Sequence, residues 1–220
     1  VSIFDKLRDK FKPEWEKPVD HDKELQKLFG RLPQDLRQIF GDASAISHTD
    51  NLPKYPNVQY LGDAGYHAFM WAQHMEFPAF PRLLKVVSEE RQEVNFLQFE
   101  KGAHTTLLAS AREFTGRNVW LLTNDNDLID ALARHKFSPT PPWIAYPELG
   151  PLATYNQGEE EYWFITVWLP FWNHLSPSER DLYINERSKD ALSYMSKQEW
   201  EDWIYMIRKN DPEYKQREGL

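Results

Sequence analysis

The sequence predicts a mixed fold, α+β or α/β, in which a small central sheet with at least one β-α-β unit is flanked by helical N- and C-terminal regions. Three observations predict it. Apolar residues recur at helical spacing over the first forty residues and again after residue 176. Two short runs, 94–99 and 118–123, are rich in apolar and aromatic residues and read as strands. A helical pattern over Ala103–Thr115 lies between them, and that order favours parallel strands joined by a right-handed crossover.

The elements follow in order. Ser2 and Asp5 stand in N-cap and N3 relation, Ile3, Phe4, Leu7 and Phe11 share one helical face, and Pro13 and Pro18 end that element. A second helix carries Leu25, Leu28 and Phe29 and stops at Gly30. Pro33 opens a third with Leu36, Ile39 and Phe40, stopped by Gly41. Residues 42–64 read as loop, punctuated by Pro53, Pro56 and Gly62. A helix is expected over Gly65–Met75, and another from Pro81 that buries Leu83, Leu84 and Val87. After the strand-helix-strand centre, a helix begins at Asn124–Asp127 and carries Leu128, Ile129 and Leu132. The stretch SPTPPW at 138–143 breaks regular structure, and Tyr162–Leu169 reads as a further strand. Ser176-Pro177-Ser178-Glu179 and Ser196-Lys197-Gln198-Glu199 are capping boxes that open two closing helices. The expected organisation is one domain, with a helical region at 1–41, a mixed centre at 42–175, a helical pair at 176–210 and a frayed tail at 211–220.

Composition narrows the function. Of 220 residues 41% are hydrophobic and 15% aromatic, enough apolar material to offset the entropy of ordering. The formal charge of −8 and the lack of a Lys/Arg cluster argue against a nucleic-acid partner, which needs cations to displace phosphate counterions. The same field draws a basic protein at long range. With no cysteine there is no disulfide, thiolate metal site or cysteine nucleophile. The opening VSIFDKLRDKFK has no continuous apolar region and does not read as a signal peptide, so the expected compartment is the cytoplasm. The longest apolar run, Tyr162–Trp172, is about half of what a membrane span needs.

Chemistry-bearing patterns are few. Asp125-Asn126-Asp127 follows an apolar strand and precedes a helix, a position from which carboxylates can hold Mg²⁺ against a phosphate. The same residues suit a helix start, with Asp125 as N-cap and Asp127 near the positive end of the dipole. The tripeptide resembles the DxD start of haloacid dehalogenase phosphatases, but Leu128 stands where that pattern has Thr, so the helix-start role is expected. The seven histidines show neither HxxxH nor HExxH spacing. No nucleophile elbow, Walker loop or GxGxxG fingerprint is present. No catalytic residue, metal ligand or cofactor is therefore assigned.

The most unusual region is 155–175, where an acidic triplet adjoins an aromatic run with three tryptophans. Read as a turn at Asn156–Gly158 and a strand, it turns Trp163, Ile165, Val167 and Leu169 to the core and Tyr162, Phe164, Thr166 and Trp168 the other way. Glu159, Glu160, Glu161, Tyr162, Phe164 and Trp168 are then the expected binding residues, the carboxylates steering a basic partner and the aromatics supplying contact area. The function expected is an acidic cytoplasmic protein-binding module, of the immunity or antitoxin type that neutralises a basic bacterial toxin. The alternatives are a metal-dependent hydrolase with scattered Asp, Glu and His around Asp125 and Asp127, and a structural subunit of a larger assembly.

Overall fold

The structure is a computed structural model that describes residues 20–153, 155 and 157–219. The amphipathic element expected at Ile3–Phe11, and Asn156 of the expected turn, lie outside the described residues. Helix α1 (His21–Phe29) starts where the Asp20 side chain accepts from the Lys23 N–H and ends at Gly30 with φ 65°, a conformation that costs glycine nothing. Helix α2 (Pro33–Ile39) has proline in its first turn, as its sequence predicts. Residues 42–64 are less irregular than expected and hold strand β1 (Asn57–Tyr60).

The centre departs from expectation in a connected way. Residues 69–75, expected in a helix, form strand β2 (Phe69–Met75). Helix α3 (Phe80–Ser88) follows and buries Leu83 and Val87, as expected. The run 94–99 is not one strand but the turn of a hairpin between β3 (Gln92–Asn95) and β4 (Gln98–Lys101), with Leu97 at φ 54°. Residues 104–113, expected within a helix, form the longest strand, β5 (His104–Glu113), and β6 (Gly116–Thr123) pairs with it directly. The result is one sheet in the order β1-β2-β6-β5-β4-β3 with every neighbouring pair antiparallel. The expected β-α-β unit is thus overturned, because its helix is a strand and two-residue hairpins replace the crossover.

Helix α4 (Asn126–His135) follows β6 and, together with α3, covers one sheet face, where Trp71, Leu121 and Leu108 from three strands meet Leu83, Ile129 and Leu132. Among the described residues, helices α1 and α2 cover half of the other face, burying Leu107 and Leu122 beneath Leu25, Leu36 and Phe40.

After α4, the 138–143 stretch stays irregular until the short helix α5 (Pro142–Ala145). The aromatic run is a helix rather than a strand. It consists of α6 (Gly158–Trp163), a π turn over Phe164–Trp168 and α7 (Leu169–His174). The helix has physical support at its start and accommodates the proline within it. Glu159, Glu160 and Glu161 fall in the first turn, where carboxylates meet the positive end of the dipole. Pro170 has no N–H to give, and the π turn before it takes up the interrupted ladder. Helix α8 (Pro177–Ala191) opens with the expected reciprocal box of Ser176 and Glu179. Helix α9 (Lys197–Arg208) is capped by the Ser196 side chain accepting from the Glu199 N–H.

The tail expected to fray instead forms α10 (Pro212–Glu218). Its anchor is the buried Asp211, whose Oδ1 lies 2.7 Å from Arg180 Nη1 and accepts from Trp172 Nε1 at 3.2 Å. The C-terminal helices enclose an aromatic core of Trp163, Trp168, Phe171, Trp172, Trp200 and Trp203. Arg187 of α8 ties this layer to the end of β2 through Glu76, donating from Nη1 at 2.9 Å and Nη2 at 2.5 Å. Among the described residues no helix is long and apolar enough to cross a membrane.

Candidate protein-binding groove

Antiparallel register decides which side chains share the half-face of the sheet that no other described residue covers. Ala72, Trp120 and Ala109 lie in line across β2, β6 and β5, and His74, Asn118 and Ala111 form the next row. A large indole between two alanines leaves space on both sides of the ring. A groove results, with Trp120, Ala72 and Ala109 as its floor and Lys27 and Leu28 of α1 as one wall. It continues past Asn57 and His74 to Tyr162, Thr166 and Val167 of the aromatic helix, which form the opposite wall. Beyond Tyr162 it opens into a cleft bounded by Glu113, Phe114, Tyr146 and Glu159.

His74 is the polar centre of the floor and only 7% exposed. Its Nε2–H donates to the Glu113 carbonyl at 3.2 Å, which leaves the Nδ1 lone pair buried without a partner among the described residues. Its ring is close enough to the β5–β6 turn that a side chain at Gly116 would collide with it and with the Met75 carbonyl. Burial, the larger effect, pushes the His74 pKa down, and the hydrogen bond to Glu113 offsets this only in part. His174 is lowered in the same direction, first by burial. A base whose folded pKa is depressed binds its proton more readily in the unfolded chain, so stability falls as pH drops below about 6.5, the ordinary histidine value. Thermal unfolding from pH 7.5 to 5 is expected to show a declining Tm. The decline should shrink in His74→Gln, and an unchanged slope would place the effect elsewhere.

The predicted binding residues are divided by the helix. Glu159 is exposed on the cleft rim, and Glu160 and Glu161 are partly exposed on the same turn. Tyr162, 60% exposed, lines the groove beside Phe114, with ring centroids 6.2 Å apart. Phe164 is half-buried and stacks on Tyr155 at 4.7 Å. Trp168 is fully buried between Trp163 and Trp172 and does not reach the groove. The expected alternation fails because a helix returns to one face after three to five residues, which places Trp163 and Trp168 together in the core and leaves Ile165 outside.

Trp120, His74, Glu113, Phe114 and Tyr146 were not singled out from the sequence. Reading 104–113 as a strand would have aligned Ala109 and Ala111 with Trp120 and Asn118 and revealed the floor. Tyr146 sits in a negative environment. Burial is the main cause raising its pKa, and the charges of Glu160, Glu159 and Glu148 add to it.

Asp125 takes the expected helix-start role. Its Oδ1 accepts from the Leu128 N–H at 3.1 Å and its Oδ2 from Arg91 Nη2 at 2.5 Å, while Asp127 is exposed in the first turn of α4. Among the described residues no three of His, Asp or Glu converge as a metal-ligand set. A second concavity, about 320 Å³ between α4 and α8, gathers Arg82, Arg134, Lys136 and Arg187. Lys136 is paired with Glu179 and Arg187 with Glu76, so half of these four cations are already compensated. Comparison of the chain with protein-family models, with curated proteins and with solved structures finds no match.

Proposed function

We propose that this chain is a protein-binding module that takes a basic partner along the open half-face of its sheet. The observation that carries this reading is the groove floor of Trp120 between Ala72 and Ala109, leading to an acidic, aromatic rim at Tyr162 and Glu159. Aromatic side chains on rigid elements supply contact area at low entropic cost, and carboxylates beside them steer a cationic surface. The biological setting that fits is a cytoplasmic immunity or antitoxin protein that neutralises a basic bacterial toxin. A net charge of −8 accelerates capture of such a partner.

The test is kinetic. Placing a photo-crosslinking residue at position 162 identifies the partner, and association rates are then compared for wild type and a Glu159→Gln, Glu160→Gln, Glu161→Gln variant. Gln is preferred to Lys because losing each carboxylate from the first turn of α6 already forfeits roughly 0.3–1 kcal/mol through the dipole, and charge reversal adds repulsion to that loss. The expected result is a roughly tenfold slower on-rate at low salt with a flatter salt dependence, and a dissociation rate that changes little. An unchanged low-salt on-rate would remove the triplet from the encounter surface.

A further inference from the structure

We infer that the cleft at the end of the groove, between the β5–β6 turn and the start of the aromatic helix, is the receptor for a single arginine side chain of the partner. This rests on the groove reading above and adds the chemistry of the group recognised. The cleft is open, about 780 Å³ in volume, and its ionisable lining consists of the carboxylates of Glu113 and Glu159 with the phenols of Tyr146 and Tyr162; among the described residues no cation lines it. Three rings, those of Phe114, Tyr146 and Tyr162, line it beside Thr115 and Gly158.

The basic residues nearest in sequence are turned away. Arg117 donates to Ser110 Oγ at 2.8 Å and lies 4.4 Å over the Phe80 ring, and Arg112 lies 5.1 Å over the Phe77 ring. Among the described residues, Lys27 lines the far stretch of the groove and Lys54 a hollow beside Asn57 and His74, both apart from the cleft. A hairpin that holds two arginines thus presents Glu113, Phe114 and Thr115 to the cleft, and neither arginine.

The cage is held in place by its surroundings. Phe114 sits at φ 50°, in the left-handed region that a phenylalanine adopts only when its context requires it. Its ring lies 6.1 Å from His74, the buried histidine whose Nδ1 has no partner among the described residues. Tyr146 packs edge-on against the buried Trp163 at 5.3 Å. The Glu113 carboxylate is oriented by the Asn118 amide, which donates to it. Aromatic faces beside carboxylates suit a planar guanidinium, which stacks on a ring while it donates to oxygen.

The test uses the whole chain and a defined probe. The ¹⁵N-labelled protein is titrated with acetyl-Gly-Arg-Gly-amide and with the peptide carrying citrulline, which keeps the shape and loses the charge. Saturable shifts are expected at the amides of Phe114, Glu159 and Tyr162 with the arginine peptide, with at least about tenfold weaker response to citrulline. Tyr162→Ala and Glu159→Gln should each weaken the arginine response while leaving the circular dichroism spectrum unchanged and lowering the Tm by no more than loss of one exposed side chain near the start of α6 entails. Equal response to both peptides, or shifts confined to other acidic surfaces, would overturn the assignment. Competition separates the two readings. An arginine peptide that seats in the cleft without competing with the free partner identified by cross-linking leaves this site standing and removes the groove as that partner's docking surface. A partner that docks along the groove while the peptide finds no seat does the reverse.

Discussion

Trp168→Ala is expected to lower the unfolding free energy by about 3–5 kcal/mol, the cost of truncating a large buried aromatic. Trp168 has no exposed surface and stacks on Trp172 at 5.6 Å and Trp163 at 6.4 Å, with Tyr183 at 6.1 Å against it. Truncation opens a cavity among rigid rings on three helical segments, which cannot collapse without moving α8. Ile165→Ala is the control, because Ile165 is 52% exposed and its truncation should cost about 0.5 kcal/mol or less. A strand over 162–169 would reverse the ranking, since Ile165 would face the core and Trp168 the other side. Urea unfolding followed by circular dichroism distinguishes the two, and a larger loss at Ile165 than at Trp168 would refute the helical arrangement.

Asp125→Ala is expected to cost about 3–5 kcal/mol, because it leaves the Arg91 guanidinium buried without its partner. The side chains of the pair are 7% and 3% exposed. The loss includes the N-cap of α4, typically worth about 1 kcal/mol. Asp127→Ala, at an exposed first-turn position, should cost well under this, on the order of 0.3–1 kcal/mol. Replacing both Arg91 and Asp125 by leucine should recover a large part of the single-mutant loss, since the cost lies in the orphaned charge.

The pair also predicts a pH effect with a definite sign. Burial pushes the Asp125 carboxyl up, but the hydrogen bonds from Arg91 and the Leu128 N–H, with the charge of Arg91, outweigh it and hold the group below its ordinary value. A depressed acid stabilises the fold above its unfolded pKa. That contribution is lost as pH falls below about 3.8 and through the folded value. In Asp125→Ala the acid limb of the stability curve should be shallower. Adding Mg²⁺ should leave the wild-type Tm unchanged, because both carboxylate oxygens are engaged; tight stoichiometric binding lost in Asp125→Ala would contradict the helix-start role.

By itself the sequence determined the features that depend on near neighbours. Asp20 and Gly30 bound α1, Pro33 opens α2, Asp125 caps α4, and Ser176 with Glu179 boxes the start of α8, because a cap is a bond between residues three apart. Strand β6 was legible as a continuous apolar run, and the mixed α and β character followed from such elements.

Tertiary structure decided the rest. Residues 104–113 hold good helix formers in Leu, Ala, Arg and Glu, and are nevertheless a strand because β4 and β6 pair with them on both sides. Residues 162–169 carry β-branched and aromatic residues and are nevertheless helical, because a helix places Trp163, Trp168 and Trp172 together against α8 and α9. The candidate site divides along the same line. Glu159 and Tyr162 stood out as an acidic and aromatic cluster in sequence. Trp120, His74, Phe114 and Glu113 become a floor and a cleft only when cross-strand register sets them side by side, and that alignment is a long-range pairing that local residue preference does not encode.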